Sequence, residues 1–248
     1  MVEVGIFGFS IDFSLHLIEG NANLTFIFFL GVSLLAALGL RFSYYAHRNM
    51  LASDIETQRE IWESLRYIGV FAAVYALAWI VDIVSSIQFA SKNGLLLAMT
   101  LFLVLSLRKI ATLTGREGLG QSNQIQGVFQ LIAAVAIGLY VVTVTVLGQT
   151  SLTALIEGVT GLLLVGYGVV FFRQQVANRR LQGTMLDSLL RHLLPVLVFG
   201  GLVSIVALSI PLGIDRAVVL HIQIVFLIMT ATALMTTTIK LRQNLASL

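Results

Sequence analysis

Residues 125–147 read IQGVFQLIAAVAIGLYVVTVTVL, an apolar stretch that contains no charged residue. A helix needs ~20 mostly apolar residues to cross the hydrocarbon core of a bilayer, so this stretch predicts a transmembrane helix. Six further stretches of the same kind follow or precede it, separated by polar breaks. The seven predicted spans are approximately 24–44, 67–88, 94–113, 125–147, 151–173, 190–211 and 217–240.

The composition of the whole chain agrees with this pattern. Hydrophobic residues make up 58% of the 248 residues and charged residues only 11%, with a mean hydropathy of +0.95. Such a chain is too apolar for an ordinary soluble domain and predicts an all-α integral membrane protein, multi-pass in the cell membrane, whose first partner is the lipid bilayer. We find no nucleic-acid-binding module or phosphate-binding loop in the sequence, and do not expect nucleic acid as a partner.

Positive charge is concentrated on one side of the predicted bundle. Of the 15 Lys and Arg residues, only Lys92 and Arg216 lie on the side of the short breaks. The others lie at the C-terminus or beside the longer breaks at about 45–66, 114–124 and 174–189. Because Lys and Arg in short loops stay in the cytoplasm, the N-terminus is predicted to be outside and the C-terminus cytoplasmic.

The first residues form a separate segment, 1–22, ahead of a seven-helix domain at 23–248. Between Phe7 and Leu17 apolar residues alternate with Gly, Ser, Asp or His, which is the period of a β-strand. This alternation is unlike both a cleaved signal peptide and a membrane span. It predicts a short extracytoplasmic extended segment or strand, which we interpret as a lid over the outer helix ends. A helix lying at the bilayer surface is the alternative.

Few ionisable residues lie inside the predicted spans, and three of them, Asp82, Glu157 and His221, lie within one or two turns of the predicted outer surface. An ionisable group within a span costs several kcal/mol unless it is paired or hydrated, so each one requires an explanation. The predicted topology places all three in one layer near the outer surface, where they could bind an ion or orient a small polar ligand. The alternative is that each side chain reaches outer water or satisfies a neighbouring helix.

Local spacing extends this candidate site along two helices. Ser85 and Ser86 follow Asp82 at i+3 and i+4, and Thr160 follows Glu157 at i+3, so each carboxylate stands on a polar stripe of its own helix. The candidate ligand- or ion-binding residues are therefore Asp82, Ser85, Ser86, Glu157, Thr160 and His221.

The sequence gives no reason to expect a bound metal or cofactor. It contains no cysteine and no His-x-x-x-His spacing, which argues against the common zinc sites. The three lysines, Lys92, Lys109 and Lys240, all lie away from the middle of a span, where a retinal Schiff base would need one.

In helix six, Pro195 removes a backbone hydrogen bond and is a candidate hinge, with close packing of small residues as the alternative explanation.

The function predicted from these features is that of a sensor or signal-relay protein with an outer polar pocket and a basic cytoplasmic face for a partner. The sequence lacks the Gly-x-Ser-x-Gly and His-Glu-x-x-His motifs, and we do not expect an enzyme. Two alternatives are an ion or proton channel or transporter that uses the same carboxylates, and a membrane-anchoring subunit of a larger complex. A protein partner and a homo-oligomer are compatible with each of them.

Overall fold

The computed structural model describes residues 2–6, 9–13, 16–85, 87–113, 122–176 and 185–246. These residues form a two-stranded hairpin, two 3₁₀ turns and seven long helices. The elements in chain order are β1 (Val2–Ile6), β2 (Phe9–Phe13), a 3₁₀ turn (Ile18–Gly20), α1 (Ala22–Ala52), α2 (Glu56–Val84), α3 (Lys92–Leu113), α4 (Ser122–Leu147), α5 (Ser151–Val176), α6 (Met185–Ile205), a second 3₁₀ turn (Val206–Ser209) and α7 (Arg216–Ala246).

All seven helices are long and apolar enough to span a membrane, which fits a polytopic membrane protein. The predicted seven-helix architecture is therefore confirmed. Several helices extend beyond the predicted spans: α1 has 31 residues and continues past position 44 to Ala52. A hydropathy pattern marks only the apolar part of a helix, whereas the backbone hydrogen bonds of α1 continue through the polar residues that follow.

The helices alternate in direction, which defines two ends of the bundle. We call the end at which α1, α3, α5 and α7 begin the upper end, and the opposite end the lower end. Short connections at 85–91, 148–150 and 206–215 join successive helices at the upper end. Within the bundle α1 packs mainly on α2 and α7, while α6 packs on α7 and α5.

Glycines allow the closest helix contacts, as expected for helices that pack in lipid. A Cβ atom added to Gly69 of α2 would lie 2.6 Å from the carbonyl oxygen of Gly39 and 2.7 Å from the backbone nitrogen of Ser43 on α1. The two backbones therefore touch, and no side chain fits between them. Gly201 of α6 is similar, because its added Cβ would lie 1.9 Å from a methyl carbon of Val165 on α5.

The middle of the bundle is an apolar core. Leucines from three helices, Leu103 of α3, Leu197 of α6 and Leu227 of α7, are each 0% exposed and belong to one continuous cluster of buried apolar side chains. Helix α4 is different, since many of its large apolar residues, such as Leu131, Val135 and Val142, remain exposed. An exposed apolar helix face of this kind is suited to lipid contact.

The N-terminal segment begins with a β-hairpin. Strands β1 and β2 pair in antiparallel fashion, with Val2 opposite Phe13 and Ile6 opposite Phe9. The extended structure predicted from the alternating pattern is confirmed over Phe9–Phe13, and a surface helix does not form there. The pairing with β1 was not predicted. The side chains of both strands, and Phe7 itself, lie outside the described part of the chain.

Candidate functional site

The residues directly before α1 are tied to the upper ends of three helices. The backbone N–H of His16 donates to the carbonyl oxygen of Ile83 in α2 (2.9 Å), and that of Ile18 donates to Oγ1 of Thr25 in α1 (2.8 Å). Glu19 forms an ion pair of 3.3 Å with Arg216, the first residue of α7. Residues 16–19 therefore lie across the upper end of the bundle.

A cavity of about 400 Å³ lies beneath this stretch. Its walls combine residues 16–19 with the upper ends of α2, α3, α5 and α7 and with the connections between helices. Small-molecule sites in proteins are typically ~300–1,000 Å³, so this cavity has the size of a small ligand. Its polar and charged lining residues are His16, Glu19, Asp82, Gln88, Lys92, Asn93, Gln149, Glu157, Arg216 and Gln223.

Glu157 of α5 is the most deeply buried carboxylate of the cavity, with 2% of its surface exposed. The Asn93 amide nitrogen donates to both of its oxygens, at 3.1 Å to Oε1 and 3.0 Å to Oε2. The hydroxyl of Tyr140 on α4 donates to Oε2 at 3.2 Å. Three helices thus converge on one carboxylate, which is expected to fix its position.

Asp82 of α2 has a cation as its partner. It forms an ion pair with Lys92 at the start of α3, and only 9% of the Asp82 side chain and 14% of the Lys92 side chain are exposed. Its second oxygen accepts from the backbone N–H of Phe89 at 2.8 Å. The Lys92 ammonium also lies 3.7 Å from the centre of the Trp79 ring, which adds a cation–π interaction. Within the described residues, this pair is the most buried of the ion pairs.

The structure brings Asp82 and Glu157 into the same cavity, whereas Ser85 and Thr160 do not line it. Ser85 is 2% exposed and donates to the carbonyl oxygen of Val81 at 2.8 Å, where it ends α2. Thr160 is 5% exposed and lies one turn below Glu157. Ser86 lies outside the residues that the structure describes. Binding by any of these residues stays a prediction.

The position of His221 differs from the expectation. This residue is exposed, does not line the cavity, and has its Nδ1 atom 2.6 Å from the carbonyl oxygen of Ala217 in its own helix. Two residues further along, about 200° around the helix, Gln223 occupies the inner face. Its Nε2 atom donates to the carbonyl oxygen of Val203 in α6 at 2.9 Å. Of the three predicted ionisable residues, Asp82 and Glu157 therefore line the cavity and His221 does not.

Most polar residues of this site were not predicted, among them Lys92, Asn93 and Tyr140. Lys92 and Asn93 belong to the short polar break SKNG, residues 91–94, whose sequence indicates a turn between two helices but no binding role. Tyr140 lies within the uncharged stretch 125–147, although a buried tyrosine hydroxyl normally requires a hydrogen-bond partner. The tyrosine in this apolar stretch was therefore a sequence signal that a polar group of another helix lies next to α4.

Pro195 lies inside α6, as the sequence predicted. One turn away, the carbonyl oxygen of His192 accepts from the Thr237 hydroxyl of α7 at 3.1 Å. Together with the bond from Gln223 to Val203, this contact joins α6 to α7 on both sides of the proline. Whether α6 bends at Pro195 stays a prediction.

Comparison with known proteins does not assign the chain to a family: no family model matches it, and neither a curated protein nor a solved structure does so. Functional conclusions therefore depend on the geometry of the cavity alone.

Replacing Gln223 and His221 separately tests which of them faces the bundle. Gln223→Leu is expected to lower the free energy of unfolding by about 1–3 kcal/mol, because it leaves the buried Val203 carbonyl without its donor. His221→Leu, the matched control two residues away, is expected to change it by less than ~0.5 kcal/mol. The measurement is the thermal unfolding midpoint in detergent. Equal losses from both variants would contradict the rotation of α7 described here.

Proposed function

We propose that the protein is a seven-helix receptor of the cell membrane that binds a small polar molecule at its upper end. In this proposal the upper end faces the outside, the lower end faces the cytoplasm, and ligand occupancy is relayed to a partner at the lower end. The observation that carries the proposal is the cavity of about 400 Å³, whose wall contains ten polar or charged side chains and which lies between residues 16–19 and the apolar core.

The charge distribution supports this orientation. The two cations of the upper end, Lys92 and Arg216, are each paired with a carboxylate, of Asp82 and Glu19 respectively. The remaining Lys and Arg residues lie at the C-terminus or beside the longer breaks of the sequence, on the side opposite to Lys92 and Arg216. Cationic loops are retained in the cytoplasm, so this distribution favours a cytoplasmic lower end.

The apolar core favours a receptor over an ion pathway. Beneath the cavity, the side chains of Leu103, Leu197 and Leu227 are completely buried within one cluster of apolar residues. The hydroxyls of Thr100 and Thr230 at this level donate to carbonyl oxygens of their own helices, at 2.9 and 2.7 Å. An ion would therefore meet a layer of buried apolar side chains, which supports binding at the upper end without passage.

The contacts between α6 and α7 supply a route for the relay. Gln223 lines the cavity and also bonds to Val203 near the upper end of α6, so a ligand that moves Gln223 acts directly on that helix. Below Pro195, Thr237 links the two helices again. Bending of α6 at Pro195 on ligand binding would thereby reach the lower end, where we propose that the partner binds.

The test is to fill the cavity. Ala154 lines it and is 3% exposed, so Ala154→Leu places three additional carbon atoms near Glu157. The probes are amino acids, amines, small carboxylates and sugars, added singly to the purified protein. At least one is expected to raise the unfolding midpoint of the parent protein by several degrees, because a ligand that binds only the folded state stabilises it by about 2.7 kcal/mol at a hundredfold excess over Kd.

The effect is expected to disappear in Ala154→Leu and to persist in Ala134→Leu, which makes the same change on an exposed face of α4. A shift that survives in Ala154→Leu would place binding elsewhere and contradict the proposal.

A second candidate is a proton or cation pathway, favoured by one observation: both intramembrane carboxylates, Asp82 and Glu157, line the same cavity. Flux across liposomes that contain the purified protein separates the two candidates. The receptor proposal expects proton and potassium flux equal to that of protein-free liposomes. Flux that is lost in Glu157→Gln would establish the pathway instead.

A further inference from the structure

The three carboxylates that line the cavity differ in whether a cationic side chain contacts them. Glu19 is paired with Arg216, and Asp82 with Lys92. Glu157 is different, because the contacts that the structure describes for it are to neutral donors, the amide of Asn93 and the hydroxyl of Tyr140. Among the described residues, Arg216 forms its ion pair with Glu19 and not with Glu157. Glu157 is therefore the carboxylate of this cavity that lacks a cation in contact.

The atoms around Glu157 also present more acceptors than donors. A carboxylate offers about four acceptor positions, and here the NH₂ group of one amide and one hydroxyl supply the donors. The amide oxygen of Asn93, Oδ1, is buried without a hydrogen-bond partner among the described residues, and Asn93 lines the cavity. Buried acceptors without donors are costly, so this position favours a ligand that brings donors and positive charge.

Lys92 shows within the same site how an ammonium group is held. Its Nζ atom pairs with Asp82 and lies 3.7 Å from the centre of the Trp79 ring. The protein itself thus supplies the cation for one carboxylate of the cavity. Glu157 is also a carboxylate of this cavity, but no cationic side chain among the described residues forms an ion pair with it.

We propose that the ligand of this cavity is a small primary amine, whose ammonium group binds Glu157 and Asn93. An ammonium group has three donors and no acceptor, so it can donate to the Glu157 carboxylate and to Asn93 Oδ1 at the same time. An anionic ligand would instead meet the Glu157 charge in a confined space. This inference rests on the proposed receptor function and names the ligand class for the same cavity.

The experiment compares three matched series of probes at pH 7: ethylamine, butylamine and 1,4-diaminobutane, the alcohols in which hydroxyl replaces each amine group, and the corresponding carboxylates. Binding to the purified protein is measured by the shift of its unfolding midpoint over a range of probe concentrations. The amines are expected to raise the midpoint, with the alcohols and carboxylates at least tenfold weaker in apparent Kd. This comparison needs only the parent protein and does not depend on any variant folding.

The variant Glu157→Gln keeps the shape of the side chain and removes its charge. It is expected to weaken amine binding at least tenfold. Glu60→Gln, which changes an exposed carboxylate at the lower end, is expected to leave amine binding unchanged. Amine binding that Glu157→Gln does not weaken would overturn the inference.

The failures of the two proposals are distinguishable. Binding of alcohols or carboxylates in preference to amines, lost in Ala154→Leu, would overturn the ligand class and leave the receptor function supported. If no series raises the midpoint, the ligand class is contradicted. The receptor function is contradicted as well only when the amino acids and sugars also fail to raise it.

Discussion

Asp82→Leu is expected to lower the free energy of unfolding by about 3–5 kcal/mol, one of the largest effects of any single substitution at the upper end. The substitution leaves the Lys92 ammonium in a site where only 14% of that side chain is exposed, without the anion that compensates its charge. It also removes the acceptor for the backbone N–H of Phe89. The measurement is thermal unfolding of the purified protein in detergent.

The double variant Asp82→Leu with Lys92→Met tests whether the stability lost in Asp82→Leu comes from the unpaired charge of Lys92. Replacing both partners of a buried ion pair by apolar residues of similar size is often neutral, because neither charge then has to be desolvated. The double variant is therefore expected to recover most of the lost stability. A double variant as unstable as Asp82→Leu alone would contradict this account of the pair.

The exposed pair of Lys109 and Glu60 provides the matched control. These side chains are 44% and 62% exposed, and their separation is 3.5 Å. Water and salt screen such a pair, so Glu60→Leu is expected to cost less than ~1 kcal/mol. A large loss in this variant would mean that charge removal destabilises the protein regardless of burial.

The seven helices were predictable because the bilayer imposes a strong constraint on sequence. Each span must be apolar over ~20 residues and must satisfy its backbone internally, so length and hydropathy identify it. Hydropathy does not mark where a helix ends in water, and this is why α1 continues to Ala52. The β-hairpin was only half predicted, since the alternation over Phe9–Phe13 indicates a strand but not its partner.

Part of the candidate site could be predicted, because a charged side chain inside a membrane span has a high energetic cost. Asp82 and Glu157 stood out for that reason, and both line the cavity. Which side chains meet them depends on how each helix is rotated, and a single sequence does not give this angle. The same limit explains His221, which lies on the outer face while Gln223, two residues later, lies on the inner one.

The chain has no cysteine, so single cysteines introduced at either end can be labelled selectively. Gln88 lines the cavity in the upper connection between α2 and α3 and is exposed. Asp54 is exposed in the lower connection between α1 and α2. The central claim is that the cavity opens to the outside, which predicts an all-or-none difference between cysteines placed at these two positions.

The most direct measurement is therefore labelling of Gln88→Cys and Asp54→Cys by a membrane-impermeant maleimide, on right-side-out membrane vesicles from cells that produce the protein. Gln88→Cys is expected to be labelled in sealed vesicles, and Asp54→Cys only after detergent opens them. The reverse pattern, with Asp54→Cys labelled from outside and Gln88→Cys protected, would place the cavity in the cytoplasm and contradict the proposed receptor.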